Sequence, residues 1–305
     1  MPLSRPDADD GGLLYAGFNQ DGSALTLTDA TGVRVLSLES HAVCFAAEPG
    51  GLRCAEMLHT SSLLALVGAG HSPSLTPRRL ALANTARGGA TIAELPFAAA
   101  VTAVRLNRAR LVALLASGAA HVFALDSLTA LAVLPTGPNP GGLVALSDGL
   151  GGDLGAPGRL ALPAPAGNGS ASAASSSSPS GRVRVFELRE SPRAPGPGGS
   201  AGALTPSVEL AAHRAPLAAL AWSADGGTLA TASARGTVVR LWCFPAGAPA
   251  GTVRRGASTA RINDLAFLGS ASGRPTVLAA ATGHGSVHLF RLGGGGSGGG
   301  SGGPL

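Results

Sequence analysis

Short alternating or apolar runs, each opened by a glycine, recur along this chain. They are Gly32-Val-Arg-Val-Leu, Gly118-Ala-Ala-His-Val-Phe, Gly181-Arg-Val-Arg-Val-Phe, Gly236-Thr-Val-Val-Arg-Leu-Trp and Gly285-Ser-Val-His-Leu-Phe. Strict alternation is the period of a half-buried strand, not of a helix. A second strand precedes most of these runs, at 23–27, 110–116, 228–232 and 277–281. A Gly, Ser, Thr or Asp turn joins each pair into a hairpin. The last three glycines lie 55 and 49 residues apart, close to the spacing of propeller blades with modest loops. Counting residues 63–67 and their successors as a degenerate repeat, the pattern predicts about six blades. Segments of helical period are essentially absent. The expected fold is all-β, a β-propeller over residues 13–292.

Three stretches fall outside that pattern. Residues 1–12 are polar and Pro-containing and are expected to form a disordered tail. Residues from about 151 to 180 run from Gly-Gly-Asp-Leu into Asn-Gly-Ser-Ala-Ser and a serine run. With little apolar surface to offset ordering entropy, most of this is expected as a loop inside blade 4. Residues 293–305 are almost pure Gly and Ser, a flexible tail.

Composition changes this picture little. All 22 basic residues are arginine, isoleucine occurs only at Ile92 and Ile262, and Gly reaches 46, which looks like a coding bias. A net charge of +5 allows an anionic partner, but the charge is scattered and forms no block. Aromatics at 4% give no set of stacking platforms for nucleic acid. No run approaches the ~18 apolar residues of a membrane span, and the N-terminus lacks the apolar core of a signal peptide. Cys44, Cys54 and Cys243 have no metal-ligand spacing and suit a reducing cytosolic compartment.

Between the two best-formed repeats lies Val253-Arg254-Arg255-Gly256. Other ordered landmarks are Phe18-Asn-Gln-Asp21, Leu63-Leu-Ala-Leu-Val-Gly-Ala-Gly70, Ser74-Leu-Thr-Pro-Arg-Arg-Leu80, Pro138-Asn-Pro140 and Ala212-His-Arg-Ala-Pro216. Together they resemble the PROPPIN family, WD-repeat proteins that interact with phosphoinositides, over nearly the whole ordered chain. In that family the arginine pair reads Phe-Arg-Arg-Gly; here Val253 replaces the Phe. The Ser-Leu-Thr-Pro-Arg-Arg-Leu and Pro-Asn-Pro stretches lean towards the autophagy-related, Atg-type branch. The resemblance implies a WD-repeat-type propeller of seven blades, with a membrane-inserting loop after the third strand of blade 6. Here that strand runs directly into Gly-Ser sequence, so the loop, the last strand of blade 6 and blade 7 are expected to be missing. An incomplete gene reading, a natural short form and an added linker all remain open as its origin.

Successive side chains of an extended segment point to opposite sides, so Arg254 and Arg255 cannot share one pocket. They would serve two sites, one on each blade flank, as the resemblance implies. Arginine suits phosphate because its planar fork makes bidentate, charge-assisted bonds. With Arg254 in the first pocket the resemblance places His213, Thr231, Ser233, Arg235 and Thr237. With Arg255 in the second it places Thr282, Ser286 and His288, although Gly283-His284 replaces the family's acidic-basic turn. Each has a plainer reading. An arginine pair alone is most often a solvated surface pair, as Arg78-Arg79 warns. His213 is open between ligand contact and a structural histidine, and Ser233 and Thr237 between ligand contact and turn capping. Arg105, Arg108 and Arg110 are open between an exposed strand face and, with Arg78 and Arg79, a partner-docking surface on blades 2 and 3.

Catalytic readings fail. His284 and His288 would chelate a metal on a helix, but on a strand they lie roughly 13 Å apart. Gly68-Ala-Gly70 lacks the third glycine and helix of a dinucleotide site. Cys44 and Cys54 have no paired histidine, and the Gly-Ser-Gly of the tail lies in no strand–turn–helix elbow. The expectation is a non-enzyme without cofactor or metal. It would bind phosphatidylinositol 3-phosphate or 3,5-bisphosphate and partner autophagy-related proteins. Its place would be the cytosol and, peripherally, preautophagosomal, endosomal or vacuolar membranes. The rival is a protein-only WD-repeat scaffold with decayed lipid sites.

Overall fold

A computed structural model describes residues 12–148, 158–165, 180–188, 204–271 and 274–292. Six antiparallel sheets, each a meander in chain order, account for nearly all of the regular structure among these residues. Blade 1 holds β1 (Tyr15–Phe18), β2 (Ala24–Thr28), β3 (Val33–Ser37) and β4 (Val43–Ala47). Blade 2 holds β5 (Leu52–Met57), β6 (Leu63–Gly68), β7 (Arg79–Asn84) and β8 (Ala90–Pro96). Blade 3 holds β9 (Val101–Leu106), β10 (Arg110–Leu115), β11 (Ala119–Ala124) and β12 (Ala130–Pro135). Blade 4 holds β13 (Ala145–Leu146), β14 (Gly158–Pro163), β15 (Val183–Leu188) and β16 (Val208–Leu210). Blade 5 holds β17 (Leu217–Trp222), β18 (Thr228–Ser233), β19 (Val238–Cys243) and β20 (Ala248–Arg254). Blade 6 has three strands, β21 (Ile262–Ala271), β22 (Arg274–Thr282) and β23 (Val287–Arg291). The fold class is a β-propeller, and the only helical turns among the described residues are Pro73–Leu75 and Thr85–Arg87.

The sequence pattern carries over strand by strand, with one correction. Within the stretch expected mostly as a loop, Gly158–Pro163 forms β14 and pairs with β15 along its whole length. Its run Arg-Leu-Ala-Leu is apolar enough to bury Leu160, Ala161 and Leu162 almost completely. Residues 151–157 and 166–179 of that stretch, the 1–11 segment and the 293–305 tail lie outside the described residues. Three of the glycines that open third strands, Gly32, Gly181 and Gly236, have a packing cause, whereas Gly285 faces open space. A Cβ on Gly32 would stand 2.0 Å from the Ala47 carbonyl oxygen, and one on Gly181 2.0 Å from that of His213.

The chain divides into two compact units, residues 1–134 with 140–142, and residues 135–139 with 143–305. In the first, β1 packs against β5 and β5 against β9, so the leading strands of blades 1, 2 and 3 lie side by side. Leu80, Val104, Leu111 and Ala113 form part of its core. A buried polar network crosses all three strands. The Tyr15 hydroxyl donates to Glu56 Oε2 at 3.0 Å, and Arg105 Nη1 lies 3.4 Å from the same oxygen. Burial pushes the Glu56 carboxyl above the ordinary range, against the lowering pull of Arg105 and the Tyr15 bond. Gln20, from the first turn, ties the same blades at the backbone. Its Nε2 donates to the carbonyls of Met57 at 3.0 Å and Leu106 at 3.1 Å, while its Oε1 accepts from the His59 amide.

In the second unit β13 packs against β17 and β17 against β21, which sandwiches blade 5 between blades 4 and 6. Ala230, Ala232, Val239, Leu241 and Val253 bury one face of blade 5 with Ile262, Leu265, Leu278 and Phe290 of blade 6. Leu229, with the partly buried Trp222, Trp242 and Phe244, meets Ala145, Val183 and Leu210 of blade 4 from the other face. These two faces decide where each candidate residue points.

Candidate phosphate-binding site

Val253 faces blade 6, and its neighbour Arg254, last residue of β20, therefore faces the blade 4 side. The register agrees. Arg254 pairs with Val238 and Thr252 with Arg240, so Arg240 shares the Arg254 face. Arg240 Nη1 indeed donates to the Ala212 carbonyl at the end of blade 4. Arg254 itself is exposed. Arg254 closes β20 and Arg255 follows it out of the strand, so the two side chains stand in different surroundings.

Arg255 is built into a turn. Its amide donates to the Thr237 carbonyl at 2.9 Å, and the Gly256 amide adds a longer bond to the same oxygen. Its guanidinium folds back, Nε donating to the Gly236 carbonyl at 2.6 Å and Nη2 to that of Ser258. Gly236 makes this possible. It sits at φ 59, where L side chains are strained, and a Cβ there would lie 1.8 Å from the Ala260 carbonyl oxygen. The Ala260 amide closes the turn on the Arg235 carbonyl at 3.2 Å. Arg235 is exposed and Thr237 half-buried. The structure thus joins Arg235, Thr237, Arg254 and Arg255 around one turn.

His213 and Thr231 belong to a different arrangement. His213 Nε2 lies 3.0 Å from the Thr231 hydroxyl and 3.1 Å from its carbonyl, and Trp242 Nε1 donates to the same hydroxyl at 3.1 Å. Thr231 is 0% exposed, so its hydroxyl cannot meet a head group. This is a correction: Thr231 works inside blade 5, holding His213 and Trp242. Burial, with the nearby Arg240 charge, lowers the His213 pKa to about 4, against the raising effect of its bond to the Thr231 carbonyl. A neutral imidazole buttresses this flank and adds no cation to it. Ser233 is also buried, with 5% exposure, and its carbonyl receives the Gly236 amide at 2.9 Å. It shapes the turn from within.

A consequence for stability follows. In the unfolded chain His213 takes up a proton near 6.5, whereas the folded imidazole resists until about 4. Between these values the unfolded state binds more protons, so stability falls as pH drops from about 6.5 to about 4. Thermal unfolding across that window should show His213→Gln with a shallower decline than the parent. Equal slopes would remove the buried imidazole as the cause.

Thr282, Ser286 and His288 come together on blade 6. The Thr282 and Ser286 hydroxyls are 2.8 Å apart, and Ser286 Oγ lies 3.3 Å from His288 Nε2. Thr282 is 5% exposed, Ser286 exposed and His288 half-buried, its ring stacked on Phe290. The line therefore runs from interior to surface. The Arg255 guanidinium makes its bonds to Gly236 and Ser258 rather than to these three groups. To join them it would have to exchange two carbonyl acceptors for phosphate oxygens.

No family model matches the chain. Over 275 residues it is 34% identical to autophagy-related protein 18b of Arabidopsis thaliana, covering 90% of this chain and 66% of that protein. Over 285 residues it is 33% identical to autophagy-related protein 18 of Yarrowia lipolytica, covering 91% of this chain and 66% of the relative. The chain belongs to the PROPPIN family. It spans 66% of the length of these two relatives. Its fold is similar to that of KlAtg21 in the complex with the coiled coil of AgAtg16. There the TM-score is 0.70 at 24% identity, covering 92% of this chain and 81% of that one.

In this PROPPIN chain one cation escaped the sequence reading. Arg240 lies in the third strand of blade 5, two register positions from Arg254 on the same face. Its signal was the alternation Val239, Arg240, Leu241, which puts the arginine opposite the apolar pair. Of the arginines expected to dock a partner, Arg105 is taken up by Glu56 and the Val104 carbonyl. Arg110 is buried, its Nη1 donating to the Ala109 carbonyl at 2.9 Å. Arg79 pairs with Glu94 at 3.2 Å, both partners well exposed, a pair worth little. Arg78 and Arg108 are the exposed members of the group.

Proposed function

We propose that this chain is a phosphoinositide-binding effector that works peripherally on membranes during autophagosome formation. The observation that carries the reading is the Arg254-Arg255 pair at the outer end of β20, its two side chains in separate surroundings. Exposed Arg254, with Arg235 and Arg240 near it, supplies one cluster of phosphate donors. Arg255 and, on blade 6, the Thr282–Ser286–His288 hydroxyl line are the groups proposed for a second. Phosphatidylinositol 3-phosphate and 3,5-bisphosphate are the ligands proposed, and preautophagosomal, endosomal or vacuolar membranes the place. The KlAtg21–AgAtg16 complex supports a coiled-coil or other autophagy-related partner, for which Arg78 and Arg108 are the cations to test. No helix among the described residues is long and apolar enough to cross a membrane.

Vesicle flotation across a phosphoinositide series tests the reading. Vesicles holding either named lipid should carry the chain to the top of the gradient, and vesicles of phosphatidylcholine and phosphatidylinositol should not. Exposed charges are screened within about 8 Å at physiological salt and about 3 Å at 1 M. Binding should therefore weaken severalfold as salt rises through that range. Absence of binding to every phosphoinositide would favour the protein-only scaffold.

A further inference from the structure

We propose that Ser258 is a phosphorylation site whose phosphate occupies the Arg255 guanidinium and switches off the second head-group pocket. The inference rests on the lipid-binding reading for its consequence, although not for its chemistry. Two serines in the chain follow an arginine by three residues, Ser37 and Ser258. Ser37 closes strand β3, half-buried, with its amide bound to the Ala42 carbonyl. A kinase needs an extended, accessible segment, and a strand held in a sheet does not provide one. Ser258 is exposed and lies in irregular backbone between β20 and β21. Arg254 and Arg255 precede it by four and three residues, the spacing an arginine-directed protein kinase reads.

What sets this serine apart is the folded conformation. Arg255 already curls onto it, Nη2 donating to the Ser258 carbonyl while Nε is held by Gly236. The guanidinium and the Ser258 side chain therefore belong to one short loop. Phosphorylation is a transfer from ATP: Ser258 Oγ attacks the γ-phosphorus, a new O–P bond forms, the bond to ADP breaks, and the hydroxyl proton passes to the kinase's base. The product carries close to two negative charges and three strong acceptor oxygens near neutral pH. Arg255 still has N–H donors beyond the two it uses, so the phosphate can take a charge-assisted bond without breaking the turn. An anion held there neutralises the cation that a head group would need, and it repels an anionic membrane. Thr259, one residue on, has Gly256 at the third position before it and lacks the recognition element.

The experiment treats the full chain with an arginine-directed protein kinase and ATP, and maps the phosphate by mass spectrometry. Modification at Ser258, lost in Ser258→Ala, is the expected result. Failure to modify Ser258 while an isolated peptide of residues 251–262 is modified would overturn the proposal, because the folded loop would then be closed to the kinase. The stoichiometrically phosphorylated chain should bind vesicles of phosphatidylcholine with 5% phosphatidylinositol 3-phosphate about tenfold more weakly than the unmodified chain, an effect of the size a charge-assisted bond supports. Binding as tight as before would also overturn it. The pairing itself is read without lipid by phosphorus NMR. Contact with Arg255 in the folded turn lowers the second ionisation of the phosphoserine relative to the phosphorylated peptide of residues 251–262, where the turn is absent, and identical titrations would sink the pairing. If the unmodified chain binds no phosphoinositide, the lipid reading fails by itself and the titration still decides whether Arg255 holds the phosphate.

Discussion

Replacing Arg254 and Arg255 together by Thr should abolish flotation with phosphoinositide vesicles while leaving the β-rich circular dichroism spectrum intact. Neither side chain belongs to the core. Arg254 is exposed at the end of β20, and Arg255 holds, among the described residues, the Gly236 and Ser258 carbonyls of a surface turn. The backbone bonds from Arg255 and Gly256 to Thr237 do not depend on the side chain and keep the turn in place. A hydrogen bond to a charged group contributes roughly 1.5–3 kcal/mol. Losing one in each pocket weakens each by about tenfold or more. The single changes should give partial losses, the larger from Arg254→Thr, because the Arg255 guanidinium gives part of its binding capacity to two carbonyls. A double variant that floats as well as its parent would show that the pair does not form the site.

Glu56→Ala should lower stability by about 3 kcal/mol, at the low end of the 3–5 kcal/mol seen when a buried ion pair loses one partner. Arg105 keeps some solvent contact, with its side chain 29% exposed, which is the reason for the lower figure. Tyr15 would lose the acceptor it reaches at 3.0 Å in a site where it is almost fully buried. Glu56→Gln separates the causes. Burial already disfavours the carboxylate and pushes its pKa upward, so an amide that accepts from Tyr15 and Arg105 should cost within about 1 kcal/mol. Denaturant unfolding measures both. If the two variants fall by the same amount, the network is not what holds the leading strands of the first three blades.

Much of the fold could be read locally. A strand needs a period of two and a turn needs Gly, Asn, Asp or Ser at its corner, and both are set by residues next to one another. Hence the hairpins at 110–116 and 228–232 appear where expected, and Gly32, Gly181 and Gly236 before their third strands mark real close approaches. β14 was hidden because its six residues lie inside a Gly, Pro and Ser-rich stretch whose average composition outweighs them.

The site divides along the same line. That neighbouring side chains of an extended segment diverge is legible in sequence alone, whereas the turn that folds Arg255 onto Gly236 and Ser258 is not. Which residues stand beside them depends on partners far along the chain. Thr231 looked like a hydroxyl for a ligand, yet it closes on His213, 18 residues earlier, and on Trp242. Arg105 looked like a docking cation, yet it meets a carboxylate 49 residues away. Arg240 looked like an ordinary strand residue, and only the β19–β20 register puts it on the Arg254 face. Sequence determined the strands, the turns and the presence of an arginine pair, because those follow from neighbours within a few residues. Tertiary structure decided which polar groups are consumed in the interior and which remain at the surface, because a buried donor or acceptor must be satisfied by whatever the fold brings against it.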